Sequence, residues 1–173
     1  MRHETTADDI QRFMHSLGME VEEPGRVYFT GGVTAVLYGW REMTVDIDLR
    51  SEPEPRGFFE AIRDLKEQLE LNIELACPSD FIPEVPGWRE RSVFIARHGS
   101  LDFLHYDFYS QALAKIERDH DRDRRDVRRM IETGLVQRET LASCFEQIRP
   151  SLLRYPAIDP AAFQRKVAAA IHP

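Results

Sequence analysis

The sequence predicts an α+β fold: a mixed sheet with helices in residues 1–108, followed by an all-helical region over 109–173. Three observations carry this reading. In the first part, short alternating stretches bounded by Gly or Pro are interleaved with apolar stripes at helical spacing. After Ser110 only helical patterns remain. The chain has 173 residues and is 42% hydrophobic, enough to bury a core without a disulfide or metal staple.

The elements follow in order. Ile10, Phe13, Met14 and Leu17 share one helical face. Thr6 is the expected N-cap, Asp9 completes a capping-box start, and Gly18 is the expected left-handed stop. Arg26–Thr30 reads as a strand that runs into Gly31-Gly32, and Val33–Tyr38 as a short helix closed by Gly39. Thr44–Leu49 alternates apolar and acidic residues, which predicts a strand with Val45, Ile47 and Leu49 on the core face. Phe58, Ile62, Leu65 and Leu69 form a second helical stripe. Asn72–Ala76 is a third strand, with Glu74 between the expected core residues Ile73 and Leu75. Pro78, Pro83 and Pro86 predict an irregular stretch. Ser92–Arg97 and Leu101–Tyr106 predict a hairpin. Helices are expected over 111–118, 122–133 and 139–148, with a last one opened by the Asp159-Pro160 pair.

Composition excludes several classes. The first residues lack the apolar core of a secretory signal, and no stretch approaches the length of a membrane span. Cys77 and Cys144 fit no zinc or redox spacing, so two free thiols and a cytoplasmic location are expected. A net charge of −7 argues against nucleic-acid coating by charge alone. The run from Lys115 to Arg129 mixes both signs and reads mainly as a helix face with pairs such as Asp121–Arg125.

Chemistry concentrates in Gly31-Gly32-x-x-Ala35-x-x-x-Gly39-x-Arg41-x-x-Thr44-x-Asp46-Ile-Asp48. A strand that ends in Gly-Gly and opens a helix presents free N–H groups, and no Cβ keeps a phosphate away. Period-2 alternation puts Asp46 and Asp48 on one face, with Cα atoms roughly 6.5 to 7 Å apart. Carboxylates so placed suit a hard divalent cation such as Mg²⁺ that also takes phosphate oxygens. If the Glu74 strand pairs alongside, a third carboxylate joins them, as nucleotidyl transfer with two metals requires. Arg41 and Thr44 lie between the glycines and the acids; Arg41 is placed to touch a phosphate, and Thr44 to cap the strand turn or to hydrogen-bond the acids.

These residues resemble the nucleotidyltransferase superfamily, with its DNA-polymerase-β-like fold. The later Lys115…Arg122-Asp123-x-x-Asp126 and the phrase from Glu74 to Pro83 are similar to segments of AbiEii/AbiGii-type toxin nucleotidyltransferases. Gly32 stands where Ser is usual in that family, and Glu74 where Asp is commoner. The resemblance implies a nucleotidyltransferase fold with a C-terminal helical bundle, and transfer of a nucleotide from an NTP to a hydroxyl acceptor using Mg²⁺ or Mn²⁺. Gly31, Gly32, Arg41, Thr44, Lys115 and Asp126 would bind the nucleotide. Asp46, Asp48 and Glu74 would hold metal, and those three acids with Lys115 would be catalytic. It further implies tRNA or another RNA as acceptor, a cognate antitoxin as partner, and no membrane. Two other readings stay open: a small-molecule nucleotidyltransferase, and a non-catalytic nucleotide-binding module of the same fold.

Overall fold

A computed structural model describes residues 4–172. The chain divides into two compact units. One runs up to Cys77 and includes Ser92–His105; the other comprises Pro78–Arg91 and the chain from Tyr106 on.

The first unit is built on a five-stranded mixed sheet. Its elements are β1 (Thr5–Thr6), α1 (Ala7–Glu20), β2 (Gly25–Thr30), α2 (Gly32–Leu37), β3 (Met43–Thr44), β4 (Asp46–Ser51), α3 (Phe58–Gln68) and β5 (Asn72–Leu75). After the excursion through the second unit come β6 (Val93–His98) and β7 (Leu101–His105), with the short helix α4 (Trp88–Arg91) just before them. The strand order is β5-β4-β2-β7-β6. β4 pairs parallel with β5 and antiparallel with β2; β2 pairs parallel with β7, and β6 closes the far edge as an antiparallel hairpin strand. A separate two-stranded ribbon joins β1 to β3.

Alternation determines the core. Val27, Phe29, Ile47, Leu49, Ile73, Leu101 and Phe103 are buried in one cluster with Ile10, Phe13, Met14 and Leu17 of α1 and Phe58, Ile62 and Leu65 of α3. Register brings Phe29 beside Leu49, and Ile47 beside Ile73. Each such side chain stabilises the fold by roughly 1.5–3 kcal/mol. Helix α1 starts as its sequence demands. Asp9 accepts from the Thr6 backbone and hydroxyl, and Thr6 Oγ1 accepts from the Asp9 N–H at 3.4 Å. Burial alone would raise the Asp9 pKa, but the Thr6 and Arg12 hydrogen bonds outweigh it and bring it down to about 2.

Four expectations are corrected. Gly18 does not end α1, which runs on to Glu20. Gly18 is instead a point of close approach: a Cβ there would lie 2.4 Å from the His98 carbonyl oxygen, and one on Gly99 would lie 2.1 Å from the Gly18 oxygen. The strand expected over 44–49 is broken at Val45, because Met43–Thr44 turns away to pair with Thr5–Thr6; Val45 is therefore half-buried rather than core. Leu75 is 53% exposed, since β5 is an edge strand that ends there. Asp121 pairs with Arg124, one residue nearer than the expected Arg125.

The second unit contains α4, α5 (Phe108–Arg118), α6 (Asp121–Glu132), α7 (Arg138–Ile148) and α8 (Pro160–Ile171), with 3₁₀ turns at Pro78–Asp80 and Arg149–Arg154. Asp107 caps α5 by accepting from the N–H groups of Tyr109 and Ser110, and Arg91 clamps the same carboxylate with two bonds, at 3.0 and 2.8 Å. Asp159 caps α8 through the Ala162 N–H, with Pro160 at the first helical position. Trp88 is buried and stacks on Tyr106, ring centroids 4.3 Å apart. Phe145 meets Phe163 edge-on at 5.0 Å. Both cysteines are free and buried. Among the described residues, no helix is long and apolar enough to cross a membrane.

Candidate functional site

The sheet brings the first group of predicted residues together. In the parallel β4–β5 pair, Asp46 stands opposite Asn72, and Asp48 opposite Glu74. Paired residues on neighbouring strands project to the same side. Asp46, Asp48, Asn72 and Glu74 therefore share one face, while Ile47, Leu49 and Ile73 are buried on the other. Asp46 and Asp48 are half-buried and Glu74 is exposed.

Asn72 is the residue that sequence reasoning missed. Its amide donates to Asp46 Oδ1, and the same nitrogen lies 3.5 Å from Glu74 Oε1. It thus orients one acid and reaches toward another. Its spacing of two from Glu74 was the available signal, but only the register with β4 shows what it faces.

The glycines sit against the same acids. Gly31 has φ 65°, a conformation open to glycine, and a Cβ there would come within 2.6 Å of Asp48 Oδ2. At Gly32 a Cβ would lie 2.0 Å from Thr44 Oγ1 and 3.4 Å from Arg41 Nη1. So Asp48 closes on one glycine, and Thr44 and Arg41 close on the other. The Thr44 hydroxyl donates to the Asp46 carbonyl at 3.2 Å, which caps the turn into β4 rather than holding a carboxylate. Helix α2 has only six residues and no side-chain cap, so its macrodipole adds little. What the missing side chains allow is close approach: the Asp48 carboxylate packs on Gly31, and the Thr44 hydroxyl and Arg41 guanidinium pack on the buried Gly32.

His105 secures α2 from behind. Its Nδ1 lies 3.1 Å from the Thr34 hydroxyl and its ring 5.0 Å from Tyr38. Burial pushes its pKa down to about 4. The imidazole is therefore neutral at pH 7.

In the helical unit the structure joins Lys115 to Asp126. The Lys115 Nζ donates to Asp126 Oδ2 at 2.7 Å and lies 3.5 Å from Asp123 Oδ1. Arg118 grips Asp123 with two bonds, at 2.8 and 2.6 Å. Lys115, Asp123 and Asp126 are all buried, Lys115 at 5% exposure. Burial raises the Asp123 pKa, but the hydrogen bond from Arg118 and the charge of Lys115 outweigh it, and the net shift is downward. Asp123, part of the Lys115 to Asp126 element but given no role there, is thus a third member of this cluster.

The donor set fits a magnesium-type ion in one specific way. Asp46 and Asp48 supply hard carboxylate oxygens on one strand face, and that of Asp48 lies against Gly31. Mg²⁺ is commonly held by one or two carboxylates and completed by phosphate and water. Among the described residues, no group of three or more His, Cys, Asp or Glu side chains is arranged to hold a metal.

A mixed sheet that presents paired aspartates beside a Gly-Gly elbow is the architecture of an α/β nucleotidyltransferase fold. Residues 9–153 match the family described as nucleotidyltransferases of unknown function, DUF6036, and the chain belongs to that family. No curated protein and no solved structure matches it.

Proposed function

We propose that the protein moves a nucleotide from an NTP to a hydroxyl on RNA, with Asp46 and Asp48 holding Mg²⁺ or Mn²⁺. The observation that carries this is the approach of the Asp48 carboxylate to Gly31, where any side chain would collide with it. Half-buried acids beside a bare backbone elbow have no packing purpose that a larger residue would not serve better. A divalent ion there would offset phosphate charge and make the attacking hydroxyl more acidic.

The chain's own residues do the rest. Gly31 and Gly32 let Asp48 and Arg41 draw close to the elbow, and Arg41 offers the triphosphate a guanidinium. Asn72 fixes the rotamer of Asp46. The acceptor oxygen attacks the α-phosphorus as the bond to the β-phosphate oxygen breaks. The electron pair leaves with pyrophosphate, and the hydroxyl proton passes to a carboxylate of the β4–β5 face. Glu74, at the level of Asp48, is the third acid of this reading. The likeness of the Lys115 to Asp126 element to AbiEii-type enzymes supports tRNA as acceptor and a toxin role countered by an antitoxin.

The test is incubation with labelled NTPs, Mg²⁺ and total RNA. Wild type is expected to label RNA, and the Asp46→Asn/Asp48→Asn double variant to lose that labelling. Equal labelling by both proteins overturns the reading. A second reading, nucleotide binding without turnover, is favoured by the lack of a three-acid metal group among the described residues. Calorimetric NTP binding with no transfer to RNA or to a panel of small hydroxyl acceptors would establish it.

A further inference from the structure

The helical unit holds a cavity of about 560 Å³, a volume typical of small-molecule sites. Its walls come from α5, α6 and α8, and from the first residue of α7. Ile116, Val127 and Ile131 make one side apolar. The space exists because α8 contributes Ala169 and Ala170, where larger side chains would fill it.

The rim is cationic, and its charges are not equally committed. Of the acids on the wall, Asp119 is paired with Arg124 at 3.3 Å and Glu132 with Arg129 at 3.4 Å. Lys115 is neutralised by Asp126 and Asp123. Lys166 donates to the Glu117 carbonyl at 2.6 Å and keeps its charge. Arg128 and Arg138 line the cavity and make no ion pair with any described residue. Arg138 is moreover the first residue of α7, whose N-cap Gln137 makes no side-chain cap bond.

We propose that this cavity binds an amphipathic organic anion, a compact apolar body carrying a carboxylate or phosphate head. Arg128 and Arg138 receive the head, since guanidinium groups grip either anion with paired N–H bonds. The Ile116, Val127 and Ala170 side takes the body. The head and body contacts use no residue of the nucleotidyl-transfer reading; of that set only Lys115 reaches the cavity wall, where Asp126 and Asp123 hold its charge.

The probe is 8-anilinonaphthalene-1-sulfonate, titrated by fluorescence against the full chain at pH 7.5. Saturable one-to-one binding is expected. Arg128→Gln/Arg138→Gln should weaken it about tenfold or more, and Ala170→Leu should do the same by filling the space. Decanoate and decyl phosphate compete in separate arms, and the tighter competitor identifies the head group. Decanol, apolar but neutral, should compete poorly. Circular dichroism and thermal melts confirm that each variant is folded. If Ala170→Leu fails to fold, the two exposed arginines decide alone. Unchanged binding by the arginine variant, displacement by decanol as effective as by the anions, or no saturable binding to wild type overturns the proposal.

Discussion

Both units hold pairs of aspartates, and they treat them in opposite ways. On the sheet, Asp46 and Asp48 are half-buried, and Asp46 accepts from the neutral amide of Asn72. In the helices, Asp123 and Asp126 are buried and clamped by Lys115 and Arg118. The contrast lies in what each carboxylate would lose on neutralisation. Removing a clamped acid leaves a buried cation with a weaker partner; neutralising a half-buried acid on the sheet strands no buried cation of that kind. Burial together with countercharge thus separates acids that hold the fold from acids available to a ligand.

The sharpest way to break this comparison is by stability. Asp126→Ala should cost about 3 kcal/mol, because it removes the shorter of the two carboxylate contacts of buried Lys115 and leaves only Asp123 at 3.5 Å. Asp46→Asn should change stability by no more than about 0.5 kcal/mol. Urea midpoints measured side by side check both, and similar losses would erase the distinction. Activity should run the other way. Asp46→Asn or Asp48→Asn alone is expected to reduce nucleotide transfer by roughly 100-fold or more while the protein melts normally.

A third expectation concerns pH. The folded His105 titrates at about 4 against an ordinary 6.5. Between those values the unfolded chain takes up a proton that the folded one refuses. Stability from this group is therefore complete above about pH 6.5, falls by up to about 3 kcal/mol as pH drops toward 4, and is flat below. His105→Gln should flatten that slope in unfolding curves measured at pH 7 and 4.5. An unchanged slope would mean that other groups cause it.

Local pattern made much of this legible. Alternation in 46–49 assigns the face of the two aspartates without any partner strand, and the Thr6–Asp9 box locates the start of α1. What local pattern does not carry is pairing across distance. Asn72 reads as an ordinary strand start until β5 is aligned with β4. Lys115 and Asp123 lie on successive helices, and their meeting depends on the angle between those helices. Gly18 has the form of a helix stop, yet its reason is the turn at His98 and Gly99, some eighty residues away. Prolines at 78, 83 and 86 announce irregular chain but not that this stretch joins the helical unit.

That last feature governs how the protein can be dissected. Because Pro78–Arg91 belongs to the helical unit yet lies between strands of the sheet, a single cut cannot yield either unit whole. An expression fragment stopping at His105 would carry Trp88 without Tyr106, leaving a large indole face stripped of its cover and prone to self-association. Isolating the sheet requires excising the insert and bridging Cys77 to Ser92 with a designed linker.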